Sequence, residues 1–142
     1  MKATVKRHLL DVNVVLAVID PAHEHHTIAN PWFLATGRNA FATCPIVENG
    51  VLRIASSAAY PNRPGDVDTV RLVLERLCQE AGHVFWADSI SLVDVLPRSS
   101  GLSSKEVTDA YLVRLATANK GVFVTFDKRV AGDAATLLVL AG

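Results

Sequence analysis

This sequence has little cysteine, no excess of either charge and no long apolar run. Its two cysteines, Cys44 and Cys78, lie far apart and match neither metal-ligand nor redox spacing, which is typical of a reduced intracellular protein. Lysine plus arginine number 14, as do aspartate plus glutamate, so any contact with nucleic acid must use a local basic patch. No stretch is long enough to span a membrane, and Asp11 and Asn13 interrupt the first apolar run, which argues against a signal peptide. We therefore expect a cytoplasmic protein.

Short catalytic and nucleotide-binding motifs are also missing. The chain has no G-x-S-x-G, no P-loop and no G-x-G-x-x-G, which removes the usual evidence for a nucleophilic serine or a bound nucleotide. What the chain has is 142 residues, half of them hydrophobic, which suffices for one ordinary domain spanning residues 1–142. Segments with the pattern of strands and helices alternate along it, and this alternation predicts an α/β fold with a mostly parallel sheet covered on both faces.

Five strands and five helices are expected from this pattern. The strands are predicted at residues 4–10, 39–44, 84–87, 122–126 and 136–140. The helices are predicted at residues 13–19, at 22–36 with a kink at Pro31, at 46–56, from Asp66 to Gly82, and from Ser103 to Gly121. Ser103 and Glu106 form the pattern of a capping box at the start of the last helix. Asn13 is expected to cap the first helix.

Four acidic residues occupy positions where packing normally demands an apolar side chain. Asp11 and Asp127 directly follow short apolar strands, and Glu48 and Asp109 share helix faces with apolar residues. Burying an ionised carboxylate costs several kcal/mol unless it is paired, and clustered carboxylates repel one another. A bound divalent cation removes both penalties, so the four acids are candidates for one metal site.

The chemistry of these candidate ligands favours Mg²⁺ or Mn²⁺, because all the donors are oxygen atoms. Such a cation can lower the pKa of bound water and stabilise charge on a phosphoryl oxygen, which points to phosphodiester hydrolysis. Each acid alone also has a structural explanation. Asp11, Asp109 and Asp127 can cap a turn or a helix start, and Glu48 can form a salt bridge with Arg53.

Four segments of the chain resemble the acidic motifs of PIN-domain proteins, in the same order. They are LLDVNVVLAVID with Asp11, TCPIVENGVLRI with Glu48, VTDAYLVRLA with Asp109, and VTFDKRV with Asp127. The similarity covers nearly the whole chain and extends to the VapC toxins of bacterial toxin-antitoxin pairs. It implies an α/β/α sandwich and a homodimeric, Mg²⁺- or Mn²⁺-dependent endoribonuclease. The resemblance also implies a tRNA or rRNA substrate, an arrest of translation, and a VapB-like antitoxin that covers the active site.

The resemblance assigns roles to individual residues. The metal ligands that it implies, direct or through water, are the four acids Asp11, Glu48, Asp109 and Asp127. The polar residues that it places beside the acids, to orient them, are Asn13, Thr108 and Thr125. Some proteins of the family have a fifth acid after the fourth motif, and Asp133 can correspond to it. The cations near the acidic motifs that are candidates for RNA contact are Arg53, Lys128 and Arg129.

Several alternatives stay open on sequence grounds. A group of histidines, His23, His25 and His26, can share a metal, although without a partner ligand at matching spacing it is more typical of a polar helix face. A phosphoacceptor receiver domain normally needs an acidic pair after its first strand, and a dehalogenase-type phosphatase needs an aspartate where Asn13 stands. A PIN-like domain that binds RNA and a protein partner with little or no cleavage is the stronger alternative.

Overall fold

The strands and helices of this α/β protein alternate, as the pattern predicts. The computed structural model describes residues 6–140. Its strands are β1 (His8–Leu10), β2 (Phe41–Thr43), β3 (His83–Phe85), β4 (Val122–Thr125) and β5 (Leu137–Val139). Its helices are α1 (Val12–Ile19), α2 (His26–Ala35), α3 (Pro45–Ala55), α4 (Val67–Cys78), α5 (Leu92–Val95) and α6 (Val107–Ala118).

All strand pairs in the sheet are parallel, and the strand order is β3-β2-β1-β4-β5. In the central pairing, Leu9 of β1 lies opposite Ala42 of β2 on one side and opposite Phe123 of β4 on the other. Helix α1 packs against α2 and α3, whereas α6 packs against β4 and β1. The predicted α/β architecture is confirmed, and the arrangement fits a three-layer α/β/α sandwich.

The core lies around the three central strands. Leu9, Leu10, Phe41, Phe123 and Val124 have no exposed surface. Successive residues of one strand are buried on both faces of the sheet, which is the pattern of a parallel sheet covered by helices on each side. Such strands are mostly hydrophobic, so an acidic residue that follows them stands out.

The order of the strands creates a crevice at one edge of the sheet. From β1 the chain passes to β2 on one side, and it later enters β4 on the other side of β1. At such a point, the connections that leave the two neighbouring strands diverge to opposite sides and leave a crevice at the carboxyl ends of the strands. Asp11 follows β1, and Asp127 lies two residues beyond the end of β4.

Two helix ends differ from the prediction. The cap of α1 is Asp11, whose side chain accepts a hydrogen bond from the Val12 amide, so the assignment of this cap to Asn13 is wrong. The capping box of Ser103 and Glu106 is confirmed, although it opens a 3₁₀ turn (Ser104–Glu106) that leads into α6. Asp11 rather than Asn13 caps α1 because Asp11 has the extended backbone of a cap and its carboxylate lies beside the first free amides of the helix.

The C-terminal end of α6 also differs from the prediction. The helix ends at Ala118 rather than reaching Gly121, and the residue with the left-handed backbone is Lys120, at φ 57°. Gly121 is needed for a different reason, because a Cβ atom there would lie 2.6 Å from the carbonyl oxygen of Arg7. This close approach lets the chain enter β4 directly beside β1.

Two further segments were predicted incorrectly. Helix α2 begins at His26 and continues through Pro31, whereas the predicted helix begins at residue 22. The short helix α5 lies in the segment expected to be a plain connection, and its four residues are too few for a periodic pattern. Residues 4 and 5 of the predicted first strand lie outside the described part of the chain. Within residues 6–140, no helix has the length and hydropathy needed to cross a membrane.

Candidate active site

Three aspartates come together at the crevice between β1 and β4. Asp11 follows β1, Asp127 follows β4, and Asp109 lies in the first turn of α6, which packs on both strands. The charges of Asp109 and Asp127 both raise the pKa of Asp11, and the charge of Asp127 raises the pKa of Asp109. Such mutual effects require the carboxylates to be close, so these three predicted acids share one site.

Asp11 is held in place by three hydrogen bonds. Its Oδ1 accepts from the Val12 amide at 2.8 Å, and its Oδ2 accepts from the hydroxyl of Thr125 at 2.8 Å. Its own amide donates to the carbonyl of Val124 on the neighbouring strand at 2.9 Å. The carboxylate therefore has one orientation, set by the start of α1 and by β4.

The hydroxyl of Thr125 connects two of the aspartates. Thr125 is the last residue of β4 and is fully buried. Its Oγ1 donates to Asp11 and accepts from the amide of Asp127 at 3.1 Å. Because both hydrogen-bonding functions of the hydroxyl are used, Thr125 fixes the spacing between Asp11 and the backbone at Asp127.

Burial and charge repulsion oppose ionisation of two of the aspartates. Burial is the largest effect on Asp11 and, with the nearby negative charges, raises its pKa from 3.8 to about 6 despite the opposing hydrogen bond from Thr125. The pKa of Asp109 is raised as well, first by burial and then by Asp127. At Asp109 the attraction of Arg129 acts in the opposite direction but is outweighed, so the ionised form of this site is disfavoured at both residues.

Asp127 differs because Arg129 lies against it. The Arg129 amide donates to Oδ1 at 2.9 Å, its Nε donates to Oδ1 at 3.1 Å, and its Nη2 donates to Oδ2 at 3.3 Å. These contacts hold the pKa of Asp127 below its usual range. The guanidinium is largely exposed, with 91% of its side-chain surface accessible, so the pair can open at little cost.

An open cleft of about 460 Å³ gives solvent access to the site. Asp109 and Asp127 are part of its wall, with Glu106 beside them. The cations that line the same cleft are Lys105, Arg114 and Arg129. A polyanion that enters the cleft therefore meets positive side chains on the way to the aspartates.

Comparison with known proteins places this architecture in a family. No family model matches the chain. Ribonuclease VapC44 of Mycobacterium tuberculosis (strain H37Rv) is 42% identical to it over 127 residues, which are 88% of this chain and 89% of that protein. Ribonuclease VapC39 of the same strain is 36% identical over 133 residues, 92% of this chain and 96% of that protein, and Ribonuclease VapC38 is 40% identical over 124 residues. The chain belongs to the VapC ribonuclease family. The predicted resemblance to VapC proteins is thereby confirmed.

The fourth predicted acid of this VapC chain has different neighbours. Glu48 lies in the first turn of α3, and its Oε2 accepts a hydrogen bond of 2.6 Å from the hydroxyl of Thr43. A carboxylate oxygen of Glu48 also lies within 4.8 Å of ligand atoms of Cys78 and His83. Within residues 6–140, the hydrogen bond made by its carboxylate goes to Thr43 and not to the aspartate site. Its role as a fourth ligand there stays a prediction.

The other predicted residues of this VapC chain are spread around the site. Asn13 and Thr108 are exposed, and within residues 6–140 neither side chain makes a hydrogen bond to the three aspartates. Arg53 and Lys128 are exposed as well. The carboxylate of Asp133 accepts from the amide of Ala135 and the hydroxyl of Thr136, so it holds the turn before β5. Of the predicted polar residues, Thr125 is the one whose hydrogen bond to an aspartate is present.

The histidines of this VapC chain make local contacts. The ring of His25 stacks on Phe126, with 4.5 Å between ring centroids, and Nδ1 of His26 lies 2.7 Å from the carbonyl oxygen of Ala17. His23 accepts from the amide of His25 at 3.0 Å. The group thus joins the start of α2 to α1 and to the segment after β4, and it is not a simple polar helix face.

Sequence reasoning missed two cations of the cleft, Lys105 and Arg114. Lys105 precedes Asp109 by four residues, and Arg114 follows Ala110 by four, donating to its carbonyl at 3.1 Å. The spacing of four residues places Lys105 on the same helix face as Asp109, and this pattern could have indicated it from the sequence. Arg114 is five residues from Asp109, and its place in the wall follows from the shape of the cleft.

Proposed function

We propose that this VapC-family chain is a metal-dependent endoribonuclease of the PIN type, with residues 1–142 forming a single domain, and that it acts as the toxin of a toxin-antitoxin pair. The observation that carries the proposal is the meeting of Asp11, Asp109 and Asp127 at the crevice between β1 and β4. Asp11 and Asp109 are partly buried and have raised pKa values, because burial and like charges outweigh the attraction of nearby cations, and this is the expected state of a cation site without its cation.

The donor set fits Mg²⁺ or Mn²⁺. All three side chains offer carboxylate oxygens, and hard divalent cations prefer oxygen ligands. When bound, such a cation supplies Lewis acidity toward a phosphoryl oxygen and increases the acidity of a coordinated water. Glu48 stays a predicted fourth ligand, because the hydrogen bond from Thr43 orients its carboxylate as Thr125 orients that of Asp11 and does not exclude a cation.

The protein side chains have separate tasks in this proposal. Thr125 and the Val12 amide orient the carboxylate of Asp11, and Thr125 also fixes the backbone of Asp127. Arg129 is exposed and paired with Asp127, so it can exchange that carboxylate for an RNA phosphate. Lys105 and Arg114 line the same cleft and can hold neighbouring phosphates.

The substrate and partners follow from the family. We propose that the RNA is structured cellular RNA of the tRNA or rRNA class, that its cleavage arrests translation in the cytoplasm, and that a VapB-like antitoxin blocks the cleft. A homodimer is proposed on the same basis. The curated relatives carry the name ribonuclease, which supports RNA as the substrate class.

The test is cleavage of end-labelled tRNA and rRNA fragments by purified protein with Mn²⁺, with Mg²⁺ and with EDTA. The variant is Asp109→Asn, which removes a charge from the site, and the matched control is Asp68→Asn on the exposed first turn of α4. We expect metal-dependent cleavage by the parent and by the control, with a loss of about a hundredfold or more in Asp109→Asn.

Two outcomes would overturn the proposal. Cleavage that continues in EDTA would exclude metal dependence, and cleavage by Asp109→Asn at the parent rate would exclude the aspartate site. RNA binding without cleavage under all three conditions would favour the RNA- and protein-binding alternative. Circular dichroism of each variant shows whether the fold is retained.

A further inference from the structure

Two stacked aromatic rings lie directly beside the aspartate site. Phe126 comes between Thr125 and Asp127 in the chain and is half-buried. The ring of His25 lies over it, with 4.5 Å between the ring centroids and 31° between the ring planes. The pair is therefore one residue away from a carboxylate of the proposed metal site.

This aromatic pair and the cations of the cleft lie on opposite faces of the sheet. Helices α1 and α2 connect β1 to β2, whereas α6 leads from β3 to β4 in the opposite direction along the sheet. Since crossovers between parallel strands are right-handed, helices that cross in opposite directions cover opposite faces. His25 precedes α2 on the first face, and Lys105 and Arg114 lie on α6 and the turn before it, on the second. Asp11 and Asp127, at the ends of strands, lie between the two groups.

His25 is held in a fixed position with part of its side chain open to solvent. It is the cap residue of α2, and its carbonyl accepts from the amide of Ala29 at 2.9 Å. The next residue, His26, joins this turn to α1, because its Nδ1 lies 2.7 Å from the carbonyl oxygen of Ala17. The ring centroid of His23 is 5.7 Å from that of His25, and 38% of the side-chain surface of His25 is accessible. A flat ligand can therefore contact a ring that is already in place.

The charges near His25 favour an uncharged ligand over a phosphate. Glu24 lies 3.4 Å from Nε2 of His25, and the charge of Asp20 acts on the neighbouring His23. Residues 20–36 contain no lysine or arginine that could attract a phosphate. A nucleobase, in contrast, stacks on an aromatic ring without needing a counter-charge, and histidine and phenylalanine both serve as stacking partners for RNA bases. The chemistry of this surface therefore fits a base.

We propose that His25, supported by Phe126, forms a stacking subsite for the nucleobase next to the scissile phosphate. This inference rests on the proposed ribonuclease function and adds the residue that positions a base. The phosphates of the bound strand lie against the cations on the α6 side, and the base lies on the α1 side of Asp127. The loops of structured RNA can supply such an unstacked base.

The test is binding of a short RNA strand that carries 2-aminopurine at one central position and abasic sites at all others. Its fluorescence falls when the base stacks on a ring, and binding is measured in EDTA so that metal-dependent cleavage does not occur. The comparison strand is abasic throughout and keeps all the phosphates. The variants are His25→Ala and His25→Phe, and the matched control is Phe85→Ala, which removes an exposed aromatic ring on β3.

We expect the parent and Phe85→Ala to quench the fluorescence and to bind the strand with the base at least about fivefold more tightly than the abasic strand. His25→Phe should retain this preference, because a phenyl ring also stacks on a base. His25→Ala should lose the preference while it binds the abasic strand as tightly as the parent does. Melting temperatures show whether each variant retains the fold.

Several outcomes would overturn the proposal. Failure of the parent to bind either strand, or equal binding of the two strands, would do so. So would a preference that persists in His25→Ala, is lost in Phe85→Ala, or is lost in a correctly folded His25→Phe. The nuclease itself is judged separately, by metal-dependent cleavage of tRNA and rRNA fragments. Intact cleavage without stacking would remove this inference alone, and stacking without cleavage would support the base contact while removing the nuclease.

Discussion

The substitution Asp11→Asn should stabilise the metal-free protein at neutral pH. The folded protein raises the pKa of Asp11 from 3.8 to about 6, mainly through burial. At about 1.4 kcal/mol per pH unit, holding this carboxylate ionised in the folded state costs at most about 3 kcal/mol. Asparagine has no charge to desolvate and is as good a helix cap as aspartate.

A partial loss offsets this gain. The amide nitrogen of asparagine cannot accept the hydrogen bond that Thr125 donates to Asp11, which costs about 1 kcal/mol. The net gain is then about 2 kcal/mol, or about 6 °C in melting temperature for a domain of this size. Glu75→Gln, on the exposed face of α4, should leave the melting temperature within about 1 °C of the parent and serves as the control.

The gain should depend on pH in a defined direction. Because the folded-state pKa of Asp11 is raised, the folded parent holds its proton more tightly than the unfolded chain does. The parent therefore loses stability as pH rises from about 4 through about 6, and the advantage of Asp11→Asn appears in the same range. The assay is thermal unfolding in EDTA across that range. An Asp11→Asn variant that is less stable than the parent at neutral pH, or a difference that is the same at all pH values, would refute the reasoning.

Three further substitutions test the site and its support. Thr125→Val removes the hydroxyl that orients Asp11 and should weaken Mn²⁺ binding about 10- to 100-fold in calorimetry. Arg129→Gln removes the counter-charge of Asp127 and should tighten Mn²⁺ binding about two- to fivefold while raising KM for RNA. Gly50→Ala adds a Cβ atom 2.7 Å from a methyl group of Val12 on α1. Because this overpacking outweighs the gain in helix propensity, urea unfolding should show a free energy of unfolding lower by about 1 kcal/mol.

Each of these three changes has a control substitution. Thr117→Val removes a hydroxyl that bonds within its own helix and should leave Mn²⁺ binding unchanged. Arg71→Gln removes an exposed cation on α4, and Asn49→Ala changes the exposed neighbour of Gly50. Equal effects in a variant and its control would show that the proposed contact is not responsible.

Much of the fold was predictable because it depends on local pattern. The alternation of apolar strands and amphipathic helices predicts the parallel sheet, and the position of Asp11 and Asp127 after strands places both at its carboxyl edge. The helix α5 was not predictable, because four residues carry no periodicity.

The neighbours of Glu48 could not be predicted in the same way. Its apolar helix face indicates burial, but which side chains meet it depends on β2 and β3, and on Thr43 and His83 in particular. The pairing of Arg129 with Asp127 is a local contact over two residues, yet sequence alone does not distinguish it from a free surface cation. Tertiary packing decides the neighbours of Glu48, whereas the local geometry of the turn after β4 decides the pairing of Arg129.

The central claim is that Asp11, Asp109 and Asp127 form a site for one or more divalent cations, and direct Mn²⁺ binding tests it. The calorimetric titration compares metal-free parent, Asp109→Asn and the surface control Asp68→Asn. The account predicts that Asp109→Asn binds Mn²⁺ at least about tenfold more weakly than the parent, while Asp68→Asn binds it equally well. Unchanged Mn²⁺ affinity in a correctly folded Asp109→Asn variant would contradict it.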